Sequence, residues 1–441
     1  MKSSSLLLRR IGNNGASLMS RSRSSSRVAT APARLTNISE SSKHVRPSSY
    51  FSPSSSFFTA SASLHSNADP ASKTYKYWNR EEYARKGRYD YLIKISPESI
   101  VKEAKVIVLA DSDDDANSAL SESLPFGSKI LHTGSTLADF DELRKSVNPS
   151  EQPNIIFVSP SCPKARKQLP LLLAAFPSIE WVHVRSAGID FVVSEALDEL
   201  VETNPNLKIT NAKGQFSSSL AEYAMMACSY FAKDLPRLLK QKQNKNWEKY
   251  DVEELRGKTM GIVGYGDIGR AVCKLAHVYG MNIVALRRNP KLSANDEYCN
   301  VVYGTDKASL NKLMSESDYI VCSAPSTVET RGMVNADAFA AVKEDAVFIN
   351  LGRGPVVDED AMVEALKDGK LKGAALDVFK EEPLPKNNEL WELDNVLLSP
   401  HNMDQTNTFM HEATEFFVFE NLPRFICGKD LLNPVDPKRG Y

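Results

Sequence analysis

The segment from Thr259 to Asn289 places three glycines, at positions 264, 266 and 269, directly after an apolar run and at the start of a helical pattern. Each glycine at this spacing has a physical reason. The first permits a tight turn, the second lets another molecule approach the backbone, and the third lets helix and strand pack closely. The pattern therefore predicts a strand, turn and helix within a parallel sheet.

Short apolar runs alternate with helix-length segments on both sides of this turn, which indicates βαβ units and parallel sheets. A first series of predicted strands comprises Ala104–Leu109, Asn154–Val158, Ile179–Val184 and Leu207–Thr210. A second series comprises Thr259–Val263, Asn282–Leu286, Tyr319–Cys322, Ala346–Asn350, Ala374–Asp377 and Val396–Leu398. We therefore predict the α/β class with two doubly wound parallel-sheet domains, one flavodoxin-like and one of the Rossmann type, after a disordered N-terminal leader.

Helical patterns connect and close these two series. The stretch from Ser217 to Lys242 is long enough to join two domains, and Pro236 is expected to kink or restart it. The last run, Thr406 to Cys427, has no strand of its own to cover, so we expect it to pack on the first domain. The predicted boundaries are a leader at 1–70, a first domain at 75–224, a second at 225–403 and a returning C-terminal helix at 404–441.

The composition favours small-molecule chemistry over nucleic-acid or membrane partners. The chain has 441 residues, of which 42% are hydrophobic and 25% charged, and a formal net charge of -1. That charge gives no sequence-wide attraction for nucleic acid or an anionic membrane. No apolar run approaches the roughly 18 residues of a spanning helix. The six cysteines form no CxxC pair, so we expect reduced thiols and no metal site.

The first 66 residues differ from the rest of the chain because they are rich in serine, contain seven arginines and have a single acid, Glu40. Basic, serine-rich and acid-poor composition is typical of organelle transit peptides. The opening Ser5–Arg10 favours a mitochondrial address, with a plastid as the alternative. A merely disordered tail also fits this composition.

The glycine turn predicts a dinucleotide site, because phosphates bind at the positive N-terminal end of a helix. The residues involved would be Gly264, Gly266, Asp267, Ile268 and Gly269. After the next strand come Arg287 and Arg288, with no carboxylate to bind a ribose 2′-hydroxyl. Guanidinium groups suit a 2′-phosphate, so NADP is preferred over NAD. The alternative is that these arginines are solvated charges at the strand end.

Three further residues could transfer a proton at the same sheet edge. Arg353 directly follows a predicted strand and could hold a carboxylate or polarise a carbonyl. His401 follows another strand and has the pKa range of a general acid. Glu382 could accept the other ring N–H of His401 and so fix its tautomer. Ligands of open α/β sheets bind at this edge.

At this point the sequence resembles the D-isomer-specific 2-hydroxyacid dehydrogenase family, from about residue 100 to the C-terminus. Besides the glycine turn, the matching segments are Ser186–Asp190, Leu255–Lys258, Pro325–Gly332, Asn350–Glu359, Ala375–Pro385 and Ser399–His401. The resemblance implies that Arg353, Glu382 and His401 form the catalytic set. It also implies a homodimer, in which each chain closes a cleft between a substrate domain and a coenzyme domain.

The resemblance further implies binding residues for substrate and cofactor. Ala187 and Gly188 lie in the loop that would bind the substrate carboxylate together with Arg353. Asp377 would lie near the nicotinamide carboxamide, and Ala324, Pro325 and Leu351 complete the implied cofactor contacts. The chain departs from the family after His401, where Asn402–Gln405 replaces small residues and leaves the shape of the substrate site open.

The sequence thus predicts an oxidoreductase that uses NADPH to reduce a small 2-oxo acid to a D-2-hydroxy acid. Glyoxylate and hydroxypyruvate are the expected substrates, by analogy with relatives that carry arginine at the ribose site. One alternative is an NAD-linked enzyme similar to D-3-phosphoglycerate dehydrogenase. The other is a dinucleotide sensor without catalysis, similar to the corepressors that resemble this family.

Overall fold

The computed structural model describes residues 95–436 apart from 115, 116, 118, 119, 121, 122, 147, 149, 150 and 294. The predicted leader and the predicted start of folded sequence near Tyr75 lie outside the described residues. Among the residues described, no helix is long and apolar enough to cross a membrane.

The first domain is built on five parallel strands in the order β2-β1-β3-β4-β5. Their bounds are β1 Ala104–Leu109, β2 Ser128–Gly134, β3 Ile155–Val158, β4 Trp181–Val184 and β5 Lys208–Asn211. This is the flavodoxin-like order, with its change of direction between β1 and β3.

The second domain is built on seven parallel strands in the order β12-β11-β10-β9-β6-β7-β8. Their bounds are β6 Thr259–Val263, β7 Asn282–Leu286, β8 Val301–Tyr303, β9 Tyr319–Cys322, β10 Ala346–Asn350, β11 Leu371–Leu376 and β12 Val396–Leu398. The order reverses between β6 and β9, as in a Rossmann sheet, and a dinucleotide crevice lies at such a point. The predicted fold class is confirmed.

Helices cover both sheets. Their bounds are α1 Asp141–Lys145, α2 Ala165–Ala175, α3 Glu195–Thr203, α4 Ser217–Ala232, α5 Leu235–Asn244, α6 Asp267–Val278, α7 Lys307–Glu316, α8 Ala336–Ala340, α9 Glu359–Lys367, α10 Phe409–Phe416 and α11 Leu422–Ile426. A π-helical turn, Phe417–Asn421, connects α10 to α11. The domain boundaries within this arrangement stay predictions.

The helical connection between the domains is interrupted at one residue. Asp234 adopts a left-handed backbone, with φ at 49°, between α4 and α5. Its side chain accepts a hydrogen bond from the Arg237 amide and so caps α5. Pro236 lies in the first turn of α5, where its missing N–H removes no helical hydrogen bond. The restart expected at Pro236 therefore occurs two residues earlier, at the cap.

The C-terminal helices pack against the first sheet. Phe417 is fully buried, with its ring centroid 4.7 Å from that of Phe157 on β3 and 5.2 Å from that of Trp181 on β4. Both ends of the described chain therefore contribute to the first domain, while the second domain is continuous in sequence. This arrangement places the carboxyl ends of both sheets beside the segments that join the domains.

Two strands, β2 and β8, are absent from the sequence prediction. Each lies at the edge of its sheet, and neither contains a fully buried residue. An edge strand is covered on fewer sides and does not need a continuous apolar run. The prediction relied on such runs and missed β2, whose only adjacent aliphatic residues are Ile130 and Leu131. It also missed β8, although Val301–Tyr303 is a short apolar run.

Candidate active site

The glycine turn has the geometry that a dinucleotide requires. Gly264 has φ at 101°, and a Cβ there would lie 2.7 Å from backbone atoms of Ala324. A Cβ on Gly269 would lie 2.6 Å from the Gly264 carbonyl oxygen, so helix and turn pack too closely for a side chain. A Cβ on Gly266 would meet nothing within 4 Å, which leaves open space beside the backbone. The turn therefore fits a bound pyrophosphate.

A cavity of about 510 Å³ opens next to this turn. Arg287 lines it and donates a hydrogen bond to the Ser293 hydroxyl. Lys291 lines the same region. Arg270 and Asp296 also line it, joined by a hydrogen bond of 2.9 Å from Nε to the carboxylate. The cavity is thus polar and carries several positive side chains beside the predicted phosphate site.

Other predicted cofactor residues lie around the turn. Arg288 is exposed and is not among the residues that line the cavity. Ala324 is buried against Gly264, whereas the next residue, Pro325, is exposed at the end of β9. Leu351 is buried directly after β10. Ile268 is half-buried in the first turn of α6.

Three adjacent strands end in the residues predicted to carry the chemistry. Arg353 follows β10, Asp377 follows β11, and His401 follows β12. Glu382 lies in the segment after β11. Since the carboxyl ends of parallel strands share one sheet edge, these groups are gathered although the sequence separates them.

The imidazole of His401 is bonded to Glu382. Its Nδ1 lies 2.7 Å from Glu382 Oε2, and the other carboxylate oxygen, Oε1, accepts a 2.9 Å hydrogen bond from the Phe379 amide. His401 adopts a left-handed backbone with φ at 51°. Its carbonyl accepts a 2.9 Å hydrogen bond from Gln405 Nε2, which helps to hold that conformation. In the part of the chain that the structure describes, the other ring nitrogen, Nε2, has no hydrogen-bond partner.

The charges of this pair shift both pKa values. The hydrogen bond to Glu382 raises the pKa of His401 above its usual value, while burial and the nearby Arg353 act against the increase. Partial burial acts to raise the pKa of Glu382, but the hydrogen bonds from His401 and the Phe379 amide outweigh it and hold that pKa below its usual value. His401 is therefore a stronger base than an isolated histidine, and Glu382 stays ionised.

Arg353 connects the two domains. Its Nε and Nη2 each lie 3.2 Å from Asp190 Oδ2 in the loop after β4, and Nη1 donates a 2.8 Å hydrogen bond to the Gly352 carbonyl. A Cβ on Gly188 would lie only 1.9 Å from Arg353 Nη2. The loop containing Ala187 and Gly188 thus lies against the guanidinium, as the implied substrate site requires.

Asp377 is buried at the end of β11. Its carboxylate accepts hydrogen bonds from the Ser399 hydroxyl at 2.7 Å and from the Asn402 amide at 3.1 Å. Burial raises the pKa of Asp377 above its usual value, and these hydrogen bonds act in the opposite direction. The residue therefore ties the His401 segment to the neighbouring strand.

Two acids near the site were not predicted from the sequence. Asp190 was part of a matched motif, but nothing in the sequence pairs it with Arg353. Asp404 lies three residues after His401, and the charges of His401 and Arg353 both act on it. Burial raises the pKa of Asp404, whose Oδ1 has no hydrogen-bond partner among the described residues. The sequence did contain one indication of Asp404, because Asn402–Gln405 replaces the small residues that the family has after the histidine.

The expectation of reduced thiols and no metal site stays a prediction. In the described part of the chain the six cysteines are free, and four of them, Cys162, Cys228, Cys273 and Cys322, are buried. No group of three or more histidine, cysteine or acidic side chains in that part could hold a metal ion.

Comparison with known proteins places the chain among related enzymes. A family model described as "D-isomer specific 2-hydroxyacid dehydrogenase, NAD binding domain" matches residues 225–402. Glyoxylate reductase of Thermococcus litoralis is 34% identical over 287 residues, which cover 60% of this chain and 82% of that protein. D-3-phosphoglycerate dehydrogenase of Methanocaldococcus jannaschii is 34% identical over 252 residues, which cover 56% of this chain and only 46% of that protein.

A solved structure extends the similarity over both domains. It is the NADPH-dependent glyoxylate/hydroxypyruvate reductase of Sinorhizobium meliloti in complex with NADP and malonate, with a TM-score of 0.56 and 25% sequence identity. The match covers 77% of this chain and 98% of that one.

The bond between His401 and Glu382 predicts a measurable pKa. In NMR titrations of the ring protons, the pKa of His401 should lie above the ordinary histidine value. Glu382→Gln should lower it, because the substitution removes the negative charge that stabilises the imidazolium. Glu381→Gln, which changes the exposed neighbour, should leave it unchanged. A pKa unaffected by Glu382→Gln would show that the hydrogen bond does not control the ring.

Proposed function

The chain belongs to the D-isomer specific 2-hydroxyacid dehydrogenase family, and we propose that it is an NADPH-dependent reductase of glyoxylate or hydroxypyruvate. Family membership confirms the prediction from the motifs and makes the protein an NAD(P)-dependent oxidoreductase that acts on a CH–OH group. The choice of substrate and the preference for NADPH are the proposed part. The observation that carries the proposal is the 2.7 Å contact between His401 and Glu382 beside Arg353.

In the proposed reaction the side chains bind and orient the 2-oxo acid. The guanidinium of Arg353 is held next to the Ala187–Gly188 loop, where it can form a charged hydrogen bond with the carboxylate or the carbonyl of the substrate. The nicotinamide, when bound, supplies the hydride that reduces the carbonyl carbon. His401 Nε2 then donates a proton to the new alkoxide oxygen, so the carbonyl group, one hydride from the coenzyme and one proton from solvent become a CH–OH group.

Glu382 makes His401 suitable for this step. It accepts the Nδ1–H in both charge states of the ring, so that only Nε2 exchanges its proton. Because it also raises the pKa of His401, more of the enzyme carries the imidazolium near neutral pH. Reduction should therefore slow as the pH rises through that raised pKa.

The charges around Arg353 favour an unphosphorylated substrate. Asp190 contacts the guanidinium, and Asp404 is close enough for Arg353 and His401 to affect its pKa. Asp190 brings a negative charge to the guanidinium, and this charge would repel an additional phosphate group bound close to Arg353. The relative from Methanocaldococcus jannaschii keeps the phosphoglycerate alternative open, but the charge of Asp190 favours glyoxylate or hydroxypyruvate.

The preference for NADPH is supported by the cavity beside the glycine turn. Arg287 lines it and is held by the Ser293 hydroxyl, and no carboxylate directly follows β7. The cavity does contain Asp296, but this acid is already bonded to Arg270 and to the Tyr298 amide. A phosphate on the ribose would thus meet a guanidinium at the strand end.

We further propose a homodimer that uses the surface around α5. Leu238, Leu239 and Trp247 are 43%, 60% and 94% exposed, respectively, so this surface presents large apolar side chains to solvent. A second copy of the chain would cover them. Sedimentation should give a dimer, and Leu239→Asp with Trp247→Ser should weaken it; a wild-type monomer at micromolar concentration would contradict this proposal.

Import into mitochondria is proposed from the composition of the leader, with plastids as the alternative. Residues 1–70 fused to a fluorescent protein should direct it to the organelle. Diffuse fluorescence in the cytosol would contradict both addresses.

The proposed activity is tested with protein that lacks residues 1–70 and a panel of 2-oxo acids offered with NADPH and NADH. Glyoxylate and hydroxypyruvate should be reduced, and 3-phosphohydroxypyruvate should be a poor substrate. His401→Ala should lower kcat by about 10²–10⁴-fold with little change in coenzyme affinity, because it removes the general acid. Equal losses in kcat and coenzyme affinity would indicate a structural role, and no turnover with any substrate would contradict the enzymatic proposal.

The coenzyme preference is tested with Arg287→Asp. The substitution removes a charged hydrogen bond to the 2′-phosphate and offers a carboxylate to the ribose hydroxyl. The ratio of kcat/KM for NADPH to that for NADH should fall by about tenfold to a hundredfold. Arg288→Asp, at the exposed neighbour, serves as the matched control and should change the ratio less. An unchanged ratio in Arg287→Asp would show that Arg287 does not read the phosphate.

A further inference from the structure

Lys213 brings a positive charge from the first domain into the cavity of the second. It lies in the short loop between β5 and α4, and its Nζ is 3.2 Å from Asp267 Oδ2 at the start of α6. Lys213, Asp267 and Gly266 line the same cavity of about 510 Å³ that contains Arg287. The side chains of Lys213 and Asp267 are 52% and 47% exposed, so an incoming ligand can reach both.

The backbone of Lys213 is anchored on both sides of the loop. Its carbonyl accepts a 2.8 Å hydrogen bond from Asn433 Nδ2, near the end of the described chain. Its amide donates a 3.3 Å hydrogen bond to Asn211 Oδ1. The C-terminal segment that returns to the first domain therefore helps to fix this loop, and the position of Lys213 beside the glycine turn is built into the fold.

Asp267 raises an electrostatic problem for a dinucleotide at this turn. An acid in the first turn of a helix is stabilised by the positive helix end, which is the same end that would attract the phosphates. Its carboxylate would repel a bound pyrophosphate unless a cation lies between them. Lys213 is the cation that pairs with Asp267 in this cavity, and its ammonium can bind a carboxylate and a phosphate oxygen at the same time.

We propose that Lys213 binds the pyrophosphate of the dinucleotide from across the domain junction and that its ion pair with Asp267 holds it in position for that role. This inference rests on the proposed dinucleotide site and adds a binding residue from the other domain. A pyrophosphate is common to NADPH and NADH, so Lys213 should contribute to both, unlike Arg287. Closing of the two domains and phosphate binding would then be coupled through one side chain.

The test measures the dissociation constants of NADPH and NADH by fluorescence titration of purified protein. Lys213→Met should weaken both coenzymes by a similar factor, on the order of tenfold, since a half-exposed charged contact is lost. Lys213→Arg should keep most of the affinity. Lys208→Met, an exposed lysine at the other end of β5, is the matched control and should bind as the wild type does.

Each other outcome has a definite meaning. Wild-type affinity in Lys213→Met, with an unchanged melting temperature, would overturn the inference and leave the proposed function intact. Loss of NADPH affinity alone would also overturn it, since Lys213 would then read the 2′-phosphate. A wild-type protein that binds neither coenzyme would overturn both the inference and the proposed function.

Discussion

The hydrogen bond between His401 Nδ1 and Glu382 determines what the rest of the site can do. With Nδ1 committed to a carboxylate, the ring has one nitrogen left to exchange a proton, and its position is set by the end of β12. Arg353 and Asp377 then follow from topology, because they end the two strands next in order, β10 and β11. The geometry of the proposed catalytic set therefore depends on this sheet edge and on the segment after β11 that contains Glu382.

Two ion pairs join the domains across this edge, Arg353 with Asp190 and Lys213 with Asp267. Exposed pairs of this kind stabilise a protein by only about 0–1 kcal/mol, so they contribute little to holding the two domains together. Each, however, keeps a cation beside the place where an anion of substrate or cofactor would bind. Because these pairs are weak, either cation can bind an incoming ligand anion at a small cost in free energy.

Much of this architecture could be predicted from the sequence. Buried parallel strands are continuous apolar runs, and the glycine turn is formed by residues that are close together in the sequence. The edge strand β2 could not, since it has no such run, and the short apolar run of β8 was missed. Arg353, Glu382 and His401 were found through motifs that follow strands. The contacts of Asp190 and Lys213 were not predicted because their partners, Arg353 and Asp267, lie in the other domain. No local pattern encodes a contact between residues 163 positions apart, as for Asp190 and Arg353.

The cavity beside the glycine turn contains two kinds of cation, those paired with an acid and those without an acidic partner. Arg270 is paired with Asp296, and Lys213 with Asp267. Within the described residues Arg287 and Lys291 have no acidic partner at salt-bridge distance, and both line the cavity. A ribose phosphate carries a charge near −2, which two such cations would balance, whereas a ribose hydroxyl would leave them uncompensated. Charge balance at this end is therefore a second argument for the proposed use of NADPH, besides the missing acid after β7.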